Sequence, residues 1–422
     1  MPDPRTLNVW CNQELVGKLT EANNLWQFEY SANWHDFNLS PDLTIEAGTI
    51  ADGGTIRPVQ WFFDNLLPEE GARSLMADDA NINQADAFSL LAHFGAESAG
   101  ALTLLQEDEI SIPAEEQPLP QQTLSERIKQ LPHIPLSTGS SKRMSLAGAQ
   151  HKLPIIYRDG KLFEPIGATP STHILKPDHS DPEQYPHSAV NEWFIMQLAE
   201  RIGLTVPDTF LIYVPEPVYL VARFDREKIE NQLLRQHILD GCQLLTLANT
   251  YKYSQCNSAS LDRLIEFSRS KAVTRQRLLQ WLLFNLLVGN TDDHLKNLSF
   301  YAANQDFNMT PHYDLISTAV YANNNKWGEE NLVWPIGEAR QLNQISLADI
   351  QAVGASLKLS QRYVERTIKA MTDNITKHAD SLIEELSQQN NSGPGRQGEI
   401  QLLRKIRYGV IEDMIRQLDN TL

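Results

Sequence analysis

From Trp281 to Val288 the chain is apolar at every position except Asn285, Gly289 follows, and the next eight residues, Asn290 to Asn297, are polar at all but one. An apolar run this short cannot cross a bilayer, which takes about 20 residues. It reads instead as the buried half of a helix, with Thr274 placed to cap the helix and Gly289 placed to end it. A helix apolar nearly all round belongs in a core. The polar loop it delivers is therefore rooted in that core, and its side chains are held in place. The whole chain, at 422 residues, is too long for one ordinary core and implies two or three subdomains.

Composition narrows the class. A hydrophobic content of 41% is that of a water-soluble globular protein. With 36 basic against 53 acidic residues the net charge is −17, so most of the surface repels nucleic acid. Any DNA contact needs a local basic patch or a basic partner. Cys11, Cys242 and Cys256 are widely spaced and odd in number, which suggests neither a disulfide framework nor zinc and fits a reducing cytosol. The start, Met1 to Arg5, has no apolar run of the kind a signal peptide carries.

Along the chain, residues 1–105 read as α+β. Short strands are expected at Leu7–Trp10, Leu15–Leu19 and Trp26–Tyr30, helices near Ala72–Met76 and Gln84–His93, and a closing strand at Ser98–Leu105. Residues 106–124 are acidic and proline-bearing and read as a linker. Residues 125–239 hold Lys152–Tyr157 and a return strand about the Asp159-Gly160 turn, a strand at His173–Lys176, a helix at Ser188–Ile202 closed by Gly203, and a strand pair at Phe210–Val214 and Val218–Phe224. From residue 240 to 422 helices dominate. The expected fold is α+β, a two-lobed protein-kinase-like arrangement with a strand-rich N-terminal lobe, which includes an extra N-terminal subdomain, and an all-helical C-terminal lobe. Protein kinases bind nucleotide between two such lobes. This is likeness of plan and does not establish function by itself.

Asp292 and Asn297 stand in the D-x₄-N spacing of kinase catalytic loops, where the aspartate takes the proton of the acceptor hydroxyl and the asparagine oxygen binds Mg²⁺. Asp293 would break that spacing, so the base is assigned to Asp292. Lys296 is placed to neutralise charge on a transferred phosphoryl group. A polar turn with capping carboxylates would have the same composition. Asp314, which follows a strand, a turn and Pro311-His312-Tyr313, comes where kinases place a second metal carboxylate. With Asn297, phosphates and water it suits octahedral Mg²⁺. It would equally serve to cap a helix starting at Leu315.

Lys176 ends a strand like the phosphate-contacting V-A-I-K strand, and Glu192 on the following helix is its natural ion-pair partner; a surface lysine is the alternative. Ser145 to Lys152, rich in small residues, can bring backbone N–H groups to phosphates, as can many glycine turns. The backbone of Ala222, Arg223 and Phe224 can receive an adenine, and an edge strand would look alike. The eleven histidines show no zinc-protease spacing, and His294 reads as a residue that shapes the loop.

Taken together, Ser145-Leu-Ala-Gly-Ala-Gln-His-Lys152, His173-Ile-Leu-Lys176-Pro, Asn191-Glu192, Arg223-Phe-Asp-Arg226, Gly289 to Asn297, Tyr313 to Ser317, and Phe62 to Pro68 resemble the HipA family, the serine/threonine kinase toxins of bacterial toxin–antitoxin modules. The resemblance covers nearly the whole chain. It implies ATP and Mg²⁺ as ligands, with Asp292 as base and Asn297 and Asp314 as metal ligands. It implies a phosphate loop of Ala147, Gly148, Ala149, Gln150, His151 and Lys152, with Lys176 also on phosphates. Ala222 to Phe224 would take the adenine, and His294, Leu295, Lys296, Asn297 and Tyr313 would complete the nucleotide pocket. Ser145 matches the serine that family members autophosphorylate, which expels the phosphate loop. Position 222 can be acidic in the family, so only backbone contact is expected there.

The resemblance further implies a small dimeric HipB-like helix-turn-helix antitoxin, operator DNA reached mainly through it, and an aminoacyl-tRNA synthetase as protein substrate. The location would be the cytoplasm, at the nucleoid when bound to antitoxin, with no membrane partner. Two other functions compete: a catalytically silent co-repressor, and a small-molecule kinase of the same fold.

Overall fold

The structure is a computed structural model that describes residues 3–107, 114–140, 144, 146–148, 150–230, 232–303, 306–389 and 395–419. The chain forms two compact units, each drawn from separate stretches: 1–180, 220–252 and 299–307 in the first, and 181–219, 253–298 and 308–422 in the second.

The first unit opens with β1 (Arg5–Cys11), β2 (Glu14–Ala22), β3 (Leu25–Tyr30), β4 (Thr49–Ala51) and β5 (Leu102–Leu105), in the order β4-β3-β2-β1-β5. Period-2 alternation sets the buried face: Leu7, Val9 and Cys11 on β1, and Trp26, Phe28 and Tyr30 on β3. Helix Pro58–Asp64 covers that face, with Phe63 tilted against Phe28 at 5.8 Å. The sequence did not announce this helix. Its first turn is held by Asp52, which accepts from the N–H groups of Val59 and Gln60 at 2.9 and 3.2 Å. Helices Glu70–Asp79 and Ala87–Phe94 fall where helical pattern was read.

Further strands of this unit are β6 (Glu115–Pro118), β7 (Leu153–Arg158), β8 (Lys161–Ile166) and β9 (His173–Pro177), in the order β9-β7-β8-β6; β10 (Thr209–Tyr213) and β11 (Pro217–Ala222) follow later in the chain. Asp159 and Gly160 both take positive φ, 51° and 73°, and close the β7–β8 hairpin. The linker expected over 106–124 instead supplies β6, antiparallel to β8, and the start of helix Gln121–Lys129. An exposed edge strand needs no apolar face and tolerates Pro118 at its end, so composition hides it.

The second unit is helix-rich: Ser188–Arg201, Ser258–Phe267, Lys271–Val288, Leu347–Ser356, Gln361–Gln388, Arg396–Lys405 and Glu412–Asp419. It also carries an antiparallel strand pair, Asn331–Ile336 with Ala339–Gln341, so the C-terminal part is not wholly helical. Helix Lys271–Val288 starts a turn earlier than expected. Ser270 stands at its N-cap, and the Thr274 hydroxyl is buried against Ser268 at 2.6 Å. Gln361–Gln388 buries Val364, Ile368, Met371, Ile375, Ala379, Leu382 and Leu386, the 3–4 spacing of one helix face. Among the described residues no helix is long and apolar enough to cross a membrane, and Cys11, Cys242 and Cys256 are buried and unbridged.

Candidate active site

Asn285, the one polar residue in the apolar run, has a defined task. It is fully buried, its carbonyl accepts from the Asn290 N–H at 2.8 Å, and its side-chain oxygen accepts from Asn290 Nδ2 at 3.0 Å. The first residue of the polar loop is thus tied to the helix that delivers it. Gly289 between them has φ +64°, and a Cβ there would lie 2.6 Å from Val410 Cγ1 and 3.0 Å from the Ala319 Cβ. Gly289→Ala is therefore expected to cost about 2–5 kcal/mol, from left-handed strain and overpacking together. It should appear as a lower urea midpoint at unchanged slope.

The loop is pinned along its length. Thr291 N–H donates to Thr318 Oγ1 at 2.7 Å, and Ala319 N–H to the Gly289 carbonyl at 2.9 Å. The Asp292 N–H donates to Asn290 Oδ1 at 3.0 Å, and the Asp292 carbonyl accepts from both the His294 N–H at 3.0 Å and Asn297 Nδ2 at 2.9 Å. The two adjacent carboxyls diverge. Asp292 is exposed and its Oδ1 accepts from the Tyr253 hydroxyl at 2.6 Å. Asp293 is buried, and burial, with the Asp292 charge added, pushes its carboxyl well above the usual carboxylate range. Its backbone carbonyl accepts from Trp334 Nε1 at 2.5 Å, and Trp334 in turn packs edge-on against Trp281. Burial closes Asp293 off and disfavours its charged form, whereas Asp292 is exposed, so of the pair Asp292 suits a base.

Asn297 is buried, and its amide nitrogen is committed to the Asp292 carbonyl. That commitment leaves the amide oxygen for a cation, the donor type Mg²⁺ takes. Asp314 is half-buried with φ +54°, a left-handed backbone uncommon outside glycine and typical of constrained sites. No helix begins at Leu315, so Asp314 is not a cap. The segment after it is gripped by Asn191: its Oδ1 accepts from the Ser317 N–H at 3.1 Å and its Nδ2 donates to the Ser317 carbonyl at 2.9 Å. Glu192, the next residue, is buried, and its charge and that of Asp314 both act on the buried Tyr219 phenol, raised well above its ordinary value chiefly by burial. Tyr313 donates from its hydroxyl to the Lys296 carbonyl at 2.7 Å. The second unit thus brings Asp292, His294, Lys296, Asn297, Tyr313 and Asp314 together.

The remaining expected site residues lie in the first unit. Ser145 and Ala149 fall outside the described residues. Gly148 has φ +108°, and its carbonyl accepts from the Glu69 N–H at 3.2 Å. Lys152 Nζ donates to the Ala147 carbonyl at 2.6 Å, and Gln150 Nε2 to the Pro177 carbonyl at 3.4 Å. Burial, and secondarily the charge of His179, lowers the His151 imidazole. Lys176 is buried on β9 rather than a surface lysine.

Arg223 turns its side chain into a buried cluster. It donates from Nε to Asp225 Oδ1 at 2.9 Å and from Nη1 to Glu97 Oε1 at 3.2 Å. Glu97 also accepts from Arg226 at 2.8 Å and Arg235 at 2.5 Å. Burial works against the Asp225 carboxylate, yet Arg223 and Arg226 together hold it below its ordinary range. Arg223 can therefore meet a nucleotide only through its backbone, and its N–H is already given to the Thr172 carbonyl at 2.9 Å. The Phe224 carbonyl accepts from the Tyr301 hydroxyl at 3.0 Å.

Sequence reasoning gave no role to Tyr253, Trp334, Thr318 or Glu97, and none to Asn191 beyond its place in a motif. All act across long stretches of chain, with no spacing that would mark them.

The strand-rich and helix-rich parts define a class, a two-lobed α+β kinase-like fold. The chain superposes on one from the solved complex of Shewanella oneidensis MR-1 HipA, HipB and operator DNA with a TM-score of 0.77, covering 97% of this chain and 99% of that one at 24% identity. Residues 7–105 match the HipA N-terminal domain and 144–379 the HipA-like C-terminal domain. The Shewanella oneidensis serine/threonine-protein kinase toxin HipA is 30% identical over 338 residues, 75% of this chain and 76% of that protein. The Sinorhizobium fredii protein Y4mE is 32% identical over 397 residues, 91% of this chain and 93% of the relative. The chain belongs to the HipA family, and its activity in general terms is that of a protein serine/threonine kinase.

Proposed function

We propose that this chain is the toxin kinase of a HipA/HipB-like toxin–antitoxin module and transfers the γ-phosphoryl group of ATP to a serine or threonine of a protein. The observation that carries the reading is the divergence of the two loop carboxyls: Asp292 is exposed and accepts from the Tyr253 hydroxyl, while Asp293 is buried. Asp292 takes the acceptor proton. Mg²⁺ held by Asn297 and Asp314 would supply charge neutralisation at the phosphates. Lys176, and Lys152 with the backbone of Ala147 to His151, would bind phosphates, and Ala222 to Phe224 would receive the adenine. His294 to Asn297 and Tyr313 complete the pocket.

The related Shewanella complex joins HipA with HipB and operator DNA. By that likeness a dimeric HipB-like antitoxin covers the present kinase and joins it to its operator. That division suits a chain of net charge −17. An aminoacyl-tRNA synthetase is the protein substrate, and the module works in the cytoplasm. Ser145 is the autophosphorylation site; a phosphoserine there repels ATP phosphates and silences the enzyme. On incubation of the purified chain with labelled ATP and Mg²⁺, label is expected on Ser145 and absent in Ser145→Ala. Equal labelling of the two proteins would refute the assignment.

A further inference from the structure

Tyr253 has no place in the motif that defines the catalytic loop, yet its hydroxyl donates to Asp292 Oδ1 at 2.6 Å, the length of a charge-assisted bond. Its ring stands edge-on to His294, with centroids 5.0 Å apart and planes at 74°. The turn that carries it is stitched to the same loop. The Cys256 N–H donates to the Tyr253 carbonyl at 3.0 Å, and the buried Cys256 sulfur accepts from the Leu295 N–H. Turn 253–256 and loop 292–295 therefore present one fixed pair of side chains. All these residues belong to the second unit.

The Asp292 backbone is already fixed by three hydrogen bonds, through its N–H and twice through its carbonyl. What remains free is the rotation of its exposed side chain, which would otherwise sample several staggered wells. A carboxylate has two oxygens, and a donor on one leaves the other open. We propose that Tyr253 is a positioning residue for Asp292, holding Oδ1 so that Oδ2 meets the acceptor hydroxyl. This rests on Asp292 being the catalytic base. In the transfer, the acceptor oxygen bonds to the γ-phosphorus and the bond from that phosphorus to the β–γ bridging oxygen breaks, ADP leaving with its electron pair. The acceptor proton passes to Oδ2, and Tyr253 keeps its own proton throughout.

Tyr253 is 42% exposed, so Tyr253→Phe keeps the ring against His294 and removes only the hydroxyl. The test measures transfer of label from ATP to dephosphorylated casein by wild type, Tyr253→Phe, Asp292→Asn and the double variant. Melting temperature is recorded for each. Loss of orientation is expected to lower kcat about tenfold at unchanged KM for ATP and unchanged melting temperature. In the Asp292→Asn background the same substitution should have no further effect, because the group it orients is gone.

If Asp292→Asn is impaired but Tyr253→Phe equals wild type, raises KM for ATP, or acts additively with Asp292→Asn, the positioning role is wrong and the base assignment stands. A faster Tyr253→Phe would mean that the phenol blocks the acceptor's place, which also overturns it. If wild type and Asp292→Asn transfer label equally, the base assignment itself fails, and this inference with it.

Discussion

Asp292→Asn is expected to slow phosphoryl transfer by about 10²–10⁴-fold, the range for loss of a positioned general base, while nucleotide affinity stays within about twofold. The substitution is isosteric, and the backbone bonds that shape the loop do not involve the lost charge: the Asp292 carbonyl still accepts from His294 and Asn297. Asp293→Asn is the matched control. Asp293 is buried, its carboxyl is pushed well above the usual range by that burial, and an amide replaces it at nearly equal volume. The bond that its backbone accepts from Trp334 is untouched. Its transfer rate is expected to stay within about tenfold of wild type. Initial rates with labelled ATP, and affinity from a fluorescent nucleotide, separate the two effects. A loss in Asp293→Asn as deep as that in Asp292→Asn would remove the base from position 292.

The contrast between the two carboxyls also shows what the sequence can and cannot carry. The D-x₄-N spacing chose Asp292, but spacing alone left a capped polar turn as an equal description. Burial distinguishes them, and burial depends on where Trp334 and Tyr253 arrive from 41 and 39 residues away. Strands β1 to β3 were legible because one face of each is buried, which writes period 2 into the residues. Helix Lys271–Val288 was legible because it is buried almost all round and ends on a glycine with positive φ. Strand β6 was not, because an exposed edge strand of Glu115, Glu116, Gln117 and Pro118 has no apolar face to reveal it. The hairpin of Arg226–Ile229 with Gln232–Arg235 stayed hidden for the same reason: its outer residues are exposed and its anchors are charged. Those anchors are the second feature that no local pattern announces. Glu97 meets Arg223, Arg226 and Arg235 across 126, 129 and 138 residues.

Glu97→Gln is expected to destabilise the protein by about 3–5 kcal/mol, the cost of breaking a buried charge network on one side. Glu97 is fully buried and takes hydrogen bonds on both carboxylate oxygens, from Arg223, Arg226 and Ser171 on one and from Arg235 on the other. Its neutral replacement leaves Arg223 and Arg226 with the Asp225 carboxylate and takes from Arg235 the carboxylate it pairs with. Burial, with the charge of Arg223, already lowers Arg226 to about 10, so this cluster has little margin for further positive charge. A surface pair supplies the scale: Glu385→Gln removes a carboxylate whose side chain is 50% exposed beside Arg201 and should cost about 1 kcal/mol or less. Urea unfolding of the two variants against wild type measures both values. The functional consequence of Glu97→Gln should follow the same path. Arg223 and Asp225 flank Phe224, and the Arg223 N–H holds the Thr172 carbonyl, so a loosened cluster frees the segment proposed to receive the adenine. At a temperature where the variant is still folded, the KM for ATP should rise while kcat at saturating ATP changes little. A variant as stable as wild type would mean that the three arginines find other partners, and that Glu97 does not hold them.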